Sequence, residues 1–466
     1  MNLLKIIRSL VAVILTAGPR GSVVATAESA LLPQVEIEEI VYEFVPAKTG
    51  TTSLGCYGAT CIVHHGEDVF VSGLETIPDV PPMNNSRWTL FKRTAVGWQL
   101  KQSDPVERQR EGCPLGVFSD GRLVLSTNPP LTRDARSGPA NPHLLEFAAN
   151  DRKAPPTRLQ PGWTKNPGFT DHSYRSMGVD ARSRELVVFN IFHDRANASD
   201  YTRDERYWAF LDRRGQWSNH GVVRYPLRAI NEELVLADGV CHALALGDVM
   251  EPVEAWRRGK PGATSWNYVF RRLFYCSNPN IATSQFGEPL EIDNLDKTAG
   301  HMQNLDLWVD RDGAAHLLYL KKSIGYPDMR DRFFPGVPIT QSLEHCIVRE
   351  NKIIGRDTLV LAGEGATAAE PDWARFHATE DGRLFVFYHC VSTDAKGGKL
   401  DENRLLEVLP GGKHTASVVV PLKYPFAAWF MTATERGGSP PSHLLEVLGT
   451  CVGQPATAIH YARIRL

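Results

Sequence analysis

Three short segments concentrate side chains that can move protons and hold charge: Asp171-His-Ser-Tyr-Arg175, His301-Met-Gln-Asn304 and Glu370-Pro-Asp-Trp373. The first places His172, Tyr174 and Arg175 side by side, and His193 follows a little further along. A histidine can take a proton near neutral pH, a tyrosine can return one to a leaving oxygen, and an arginine can neutralise a carboxylate. β-Elimination from a uronic-acid polymer needs that combination. The competing role for His172 and Arg175 is to hydrogen-bond neighbouring loops. In the second segment, His301 and Asn304 are candidates to bind a substrate or to cap a strand. In the third, Glu370 and Asp372 offer the carboxylate pair used in glycosidic hydrolysis or cation binding, or simply a turn-capping acid beside Pro371. Trp373 and Trp163 could stack on the apolar face of a sugar ring, in competition with ordinary core packing.

These residues need a scaffold, and the chain supplies a repeated one. Extended apolar runs joined by a polar turn, usually Asp-Gly, occur at 116–125, 177–189, 305–319 and 376–388, with weaker copies at 59–72, 234–246 and 430–448. Two apolar runs around such a turn read as a β-hairpin. A hairpin recurring every roughly 60 residues predicts an all-β fold, a seven-bladed β-propeller of four-stranded antiparallel blades. Runs at 88–100, 207–217 and 266–275 alternate apolar and polar residues as outer strands should. A ring must hide its edges, so the N-terminal run 35–45 is expected to pair with the run at 458–466 and close it. Loops just upstream of each inner strand then form one face of the disc, and the three segments above fall in those loops.

The formal net charge of -2 gives no pull toward nucleic acid. Residues 1–27 carry early positive charge, a short apolar stretch and an Ala-Thr-Ala site, the pattern of a signal peptide cleaved after Ala27. The remaining 28–466 reads as a single domain, secreted or periplasmic, off the membrane and monomeric. Eight cysteines suit an oxidising compartment, with Cys241–Cys276 and then Cys346–Cys390 as candidate disulfides against free buried thiols. His64-His65 falls in the turn of the first hairpin and is expected to be exposed. No histidine spacing of a zinc site, phosphate-binding loop, dinucleotide fingerprint or G-x-S-x-G elbow occurs, and no cofactor is expected.

The hairpin repeats with Asp-Gly turns resemble the BNR or sialidase-like propeller superfamily over nearly the whole mature chain. Within it, Asp171-His-Ser-Tyr-Arg175 followed by His193 is similar to the arrangement in seven-bladed polysaccharide lyases of the ulvan-lyase type. The resemblance implies His172 or His193 as base, a downstream tyrosine as acid (Tyr268 or Tyr275), and a downstream arginine on the substrate carboxylate (Arg271 or Arg272). It implies an acidic polysaccharide as partner. A sialidase-like glycoside hydrolase using Glu370 and Asp372, or a non-catalytic propeller that binds glycan or protein, are the other functions open to this fold.

Overall fold

The Asp-Gly turns do what their composition requires. Gly121, Gly313 and Gly382 take φ of 82°, 77° and 84°, left-handed conformations that glycine alone adopts without cost, and the flanking strands fold back antiparallel. The computed structural model describes residues 31–466 except 134, 152, 166, 194–203, 259–267 and 395. The expected cleavage site and Trp266 therefore lie outside the described residues.

Residues 33–466 form one unit of seven four-stranded antiparallel sheets, arranged as the blades of a propeller. The inner strands of blades one to seven are Ile62–His65, Leu115–Val117, Ser176–Asp180, Ala229–Ala237, His301–Val309, Glu370–Ala378 and Met431–Thr432. Blade three continues through Glu185–Phe192, Glu205–Leu211 and Trp217–Val223, and blade four through Val240–Gly247, Arg272–Asn278 and Leu290–Asn294. A two-stranded ribbon, Val249–Met250 with Tyr268–Val269, branches from blade four. Among the described residues no helix is long and apolar enough to cross a membrane.

Each blade is buried on both faces by its neighbours, so its second strand is buried along most of its length rather than on alternate residues. Leu384–Thr393 is buried from Leu384 to Cys390. Between blades three and four, Phe189, Trp208 and Phe210 pack with Leu234, Ala243 and Phe274. The ring closes as the sequence suggests. Gln34–Glu43 is the outermost strand of blade seven and pairs antiparallel with Ala458–Arg465, which follows Leu444–Gly449.

The cysteine expectation is corrected. Neither expected pair is bonded in this structure, and all eight cysteine side chains are buried. Cys241 lies opposite Asn278 and Cys276 opposite Ala243, a diagonal relation whose Cβ separation of about 7 Å exceeds the roughly 4 Å a disulfide needs. Cys346 and Cys390 belong to different blades, each facing its own strand neighbours. His64 also departs from its expected exposure. It is the buried third residue of Ile62–His65, and its Nδ1 lies 2.8 Å from Glu446; only His65 is exposed.

Candidate active site

Blades two, three and four each deliver side chains to one cluster, all from the upstream ends of inner strands or from the loops beside them. His172 and Tyr174 precede Ser176–Asp180; His193 directly follows Glu185–Phe192, the strand paired with it. That pairing brings the two imidazoles into parallel faces, ring centroids 5.9 Å apart and planes within 10°. The Tyr174 ring lies 4.4 Å from His172 and 6.4 Å from His193. Tyr174 itself takes a φ of 43°, strained for a residue with a Cβ, and the guanidinium of buried Arg206 donates to its carbonyl at 3.2 Å.

Each imidazole is gripped at Nδ1 by a buried carboxylate. His172 Nδ1 is 2.6 Å from Glu111, a residue just upstream of the blade-two inner strand, and His193 Nδ1 is 2.9 Å from Asp204. A carboxylate at Nδ1 fixes the proton there and leaves Nε2 as the basic nitrogen. The His193 Nε2 is buried without a partner among the described residues. Burial is the largest influence on His193 and holds its pKa below 6.5 in spite of the Asp204 hydrogen bond. Burial would raise the Glu111 carboxyl, yet the hydrogen bond and charge of His172, with Arg175 and Ser173, outweigh it and bring it to about 2. Burial pushes the Tyr174 phenol up to about 12, so it carries its proton at neutral pH.

Arg228, just upstream of the blade-four inner strand, completes the group. Its guanidinium lies 5.7 Å from the Tyr174 ring centroid and 5.4 Å from that of Tyr268, with Nη2 3.4 Å from the Tyr174 hydroxyl. Asp248 at 2.9 Å and Asp204 at 3.5 Å face the same cation. A base, a proton donor and a fixed positive charge thus meet within a few side-chain widths.

The other candidates lie elsewhere. Arg175 is buried behind Glu111, donating to Ser173 Oγ at 2.9 Å and the Gly112 carbonyl at 2.8 Å, so it braces the carboxylate and does not face a ligand. Tyr268 joins the cluster through Arg228, whereas Tyr275 is buried in blade four with its hydroxyl 2.7 Å from His242. Arg271 forms a buried pair with Glu251 at 3.0 Å, and Arg272 pairs with Asp296 at 2.8 Å on the outer side of blade four. Asn304 is buried and donates to the Asn231 carbonyl at 2.6 Å and to Glu233; exposed His301 stacks edge-on against Phe270. Glu370 and Asp372 are both exposed at the start of the blade-six inner strand, where Asp372 faces His389 at 3.4 Å.

The tryptophans differ in what they expose. Trp373 is 1% exposed, its Nε1 donating to the Phe430 carbonyl at 2.8 Å, and Trp163 packs against Phe169 at the edge of a core cluster. The Trp373 ring presents no face to a solvent-borne sugar, whereas the Trp163 ring is only partly buried. Trp429 presents one: it is 40% exposed, held in a left-handed φ of 75° and flanked at 4.5 Å by both Tyr57 and Trp373.

Glu111, Asp204, Arg228 and Asp248 were not singled out by the sequence. Two of them had a signal, because Glu111 and Arg228 occupy the same upstream position before a hairpin as His172 does. Among the described residues no group of three or more His, Cys, Asp or Glu side chains has metal-binding geometry. A cavity of about 950 Å³ opens at the downstream ends of the inner strands, lined by Asp180, Trp308, His377, Glu435 and Arg436, away from the histidine cluster.

The architecture is that of a seven-bladed β-propeller, and solved structures share it. The chain superposes on a PL25 ulvan lyase bound to -[GlcA(1-4)Rha3S]- with a TM-score of 0.53 and 10% identity, over 91% of this chain and 95% of that one. It superposes on the polysaccharide lyase Uly1 with a TM-score of 0.50 and 10% identity, over 93% of each chain. No protein-family model and no curated protein sequence matches the chain.

Proposed function

We propose that the protein is an exported polysaccharide lyase that cleaves a uronate-containing glycan by β-elimination. The observation that carries this reading is the pair of parallel imidazoles, each anchored at Nδ1 by a buried carboxylate, beside a protonated tyrosine and an arginine. The solved lyases with the same fold, one of them bound to a glucuronic-acid-containing saccharide, support the substrate class.

The residues divide the work as follows. His193, kept neutral by burial, takes the proton α to the uronate carboxyl through Nε2. The Arg228 cation stabilises the negative charge that spreads onto that carboxyl as the proton leaves. His172, on the other side of the ring stack, orients the carboxyl. Tyr174 gives its proton to the departing glycosidic oxygen, leaving an unsaturated uronate end. The new double bond conjugates with the carboxyl and absorbs in the near ultraviolet.

Incubating the protein with a panel of uronate-containing polysaccharides, ulvan among them, tests the reading. Growth of near-ultraviolet absorbance, lost in His193→Ala and in His172→Ala, is the expected result. New reducing ends without absorbance would replace elimination by hydrolysis, and retention on glycan without any product would make the propeller a binding module.

A further inference from the structure

We propose that Cys56 and Cys61 close an intrachain disulfide in the mature protein, stapling the segment that crosses the propeller channel. The path of that segment is unusual for a connection into blade one. The Tyr57 carbonyl accepts from Arg375 at 3.1 Å, Thr60 Oγ1 donates to the Thr432 carbonyl at 2.9 Å, and a Cβ at Gly58 would overlap the Glu232 carbonyl oxygen. Those partners belong to blades six, seven and four, on different sides of the ring, so residues 57–60 lie across its axis.

At the base of this crossing the chain doubles back, and the Cys56 and Cys61 sulfurs stand 3.2 Å apart, both buried. They are the one pair of cysteine sulfurs in contact among the described residues. A disulfide needs about 2.05 Å, an approach of roughly 1 Å, which a short loop supplies by side-chain rotation. The surroundings favour the reaction. The Cys56 hydrogen bond, ahead of other influences, lowers the pKa of Cys61, and the Arg175 guanidinium, 3.9 Å from the adjacent Cys113 sulfur, adds positive charge.

The step exchanges disulfides with a thiol-disulfide oxidant such as oxidised glutathione. The Cys61 thiolate attacks one oxidant sulfur, the oxidant S–S bond breaks, and the first thiol leaves with the Cys61 proton. Cys56 then attacks the Cys61 sulfur of the mixed disulfide, and the second thiol leaves with the Cys56 proton. Both cysteines are oxidised, and the oxidant disulfide is reduced to two thiols. Because both sulfurs are buried in the finished fold, exchange belongs to maturation, once Cys56, Cys61 and Arg175 have come together but before the crossing segment fully covers them, and the finished bond is shielded from reductant.

Both cysteines fall in one tryptic peptide, 49–87, which makes the test direct. Protein produced in an oxidising compartment is unfolded in the presence of iodoacetamide without reductant and weighed whole and after trypsin. Six alkylated cysteines are expected, with peptide 49–87 unlabelled and lighter by two hydrogens than its dithiol form. Prior reduction should give eight labels. The Cys56→Ser/Cys61→Ser variant, prepared identically, should take six labels with or without reductant. Eight labels on the unreduced wild-type protein, or a linkage involving any other cysteine, would overturn the proposal. Activity plays no part in this readout, so failure of the lyase reading leaves it standing.

Discussion

His193 sets the acid side of activity. Its pKa lies below 6.5, and only the neutral imidazole is a base, so kcat/KM should rise with pH through that depressed value and then stay level until Tyr174 begins to ionise toward about 12. A pH profile whose acid limb has its midpoint above 6.5 would assign the base to another group. Glu111→Gln keeps the shape at His172 but removes the charge, and we expect kcat to fall about tenfold to a hundredfold with little change in KM, a split that marks a positioning residue. Trp429→Ala should do the opposite, raising KM several-fold at nearly constant kcat, because a stacked ring contributes about 1 kcal/mol to holding substrate. At this scale the sequence disclosed His172, His193 and Tyr174 because they sit in or next to a single hairpin. It did not disclose Arg228, Asp204 or Asp248, whose nearness to them depends on how blades three and four abut. Nor could it tell Tyr268 from Tyr275: a short ribbon carries the first to Arg228, and strand alternation turns the second into the blade core.

Strands and turns were far more legible, since each depends on neighbours in sequence. The seven hairpins, the glycine turns and the closing strand all follow from local patterns that the structure realises. The tryptophans were not, because a ring on an inner strand looks the same in sequence whether it faces the channel or the next blade. Trp373 faces inward, and Trp373→Ala should cost about 3–5 kcal/mol of stability, read by denaturant unfolding, as large buried rings do when truncated. The closing strand offers a second check. Val41 on Gln34–Glu43 is 7% exposed and packs with Ile459 and Tyr461, so Val41→Asp should lower Tm and uncover Ala458–Arg465 as a free edge, seen as aggregation in light scattering.

Over the whole molecule, buried titratable groups fix the pH of greatest stability. Burial holds His242 and His377 at about 4 and His345 at about 3, whereas in the unfolded chain they protonate below about 6.5. Below that pH the unfolded state binds more protons, and stability falls as acid is added. Burial raises Glu233 to about 8, so the folded state retains a proton that the unfolded state loses above about 4.5, and stability falls as pH rises through this interval. The depressed histidines, His193 among them, outweigh the raised carboxyls on the acid side, and the raised carboxyls, Glu232 and Glu233 among them, act above it. Tm should therefore peak near pH 6.5, and a maximum below 5 or above 8 would show that these groups do not govern it. The closure of the ring also carries a temporal consequence. Arg465 bonds to Glu36 across 429 residues, so the first described strand is among the last to find its partner. Until translation reaches that partner the nascent protein is an open crescent with a bare edge at each tip. Closure of the ring, unlike the folding of the individual blades, must therefore wait until both edge strands are present.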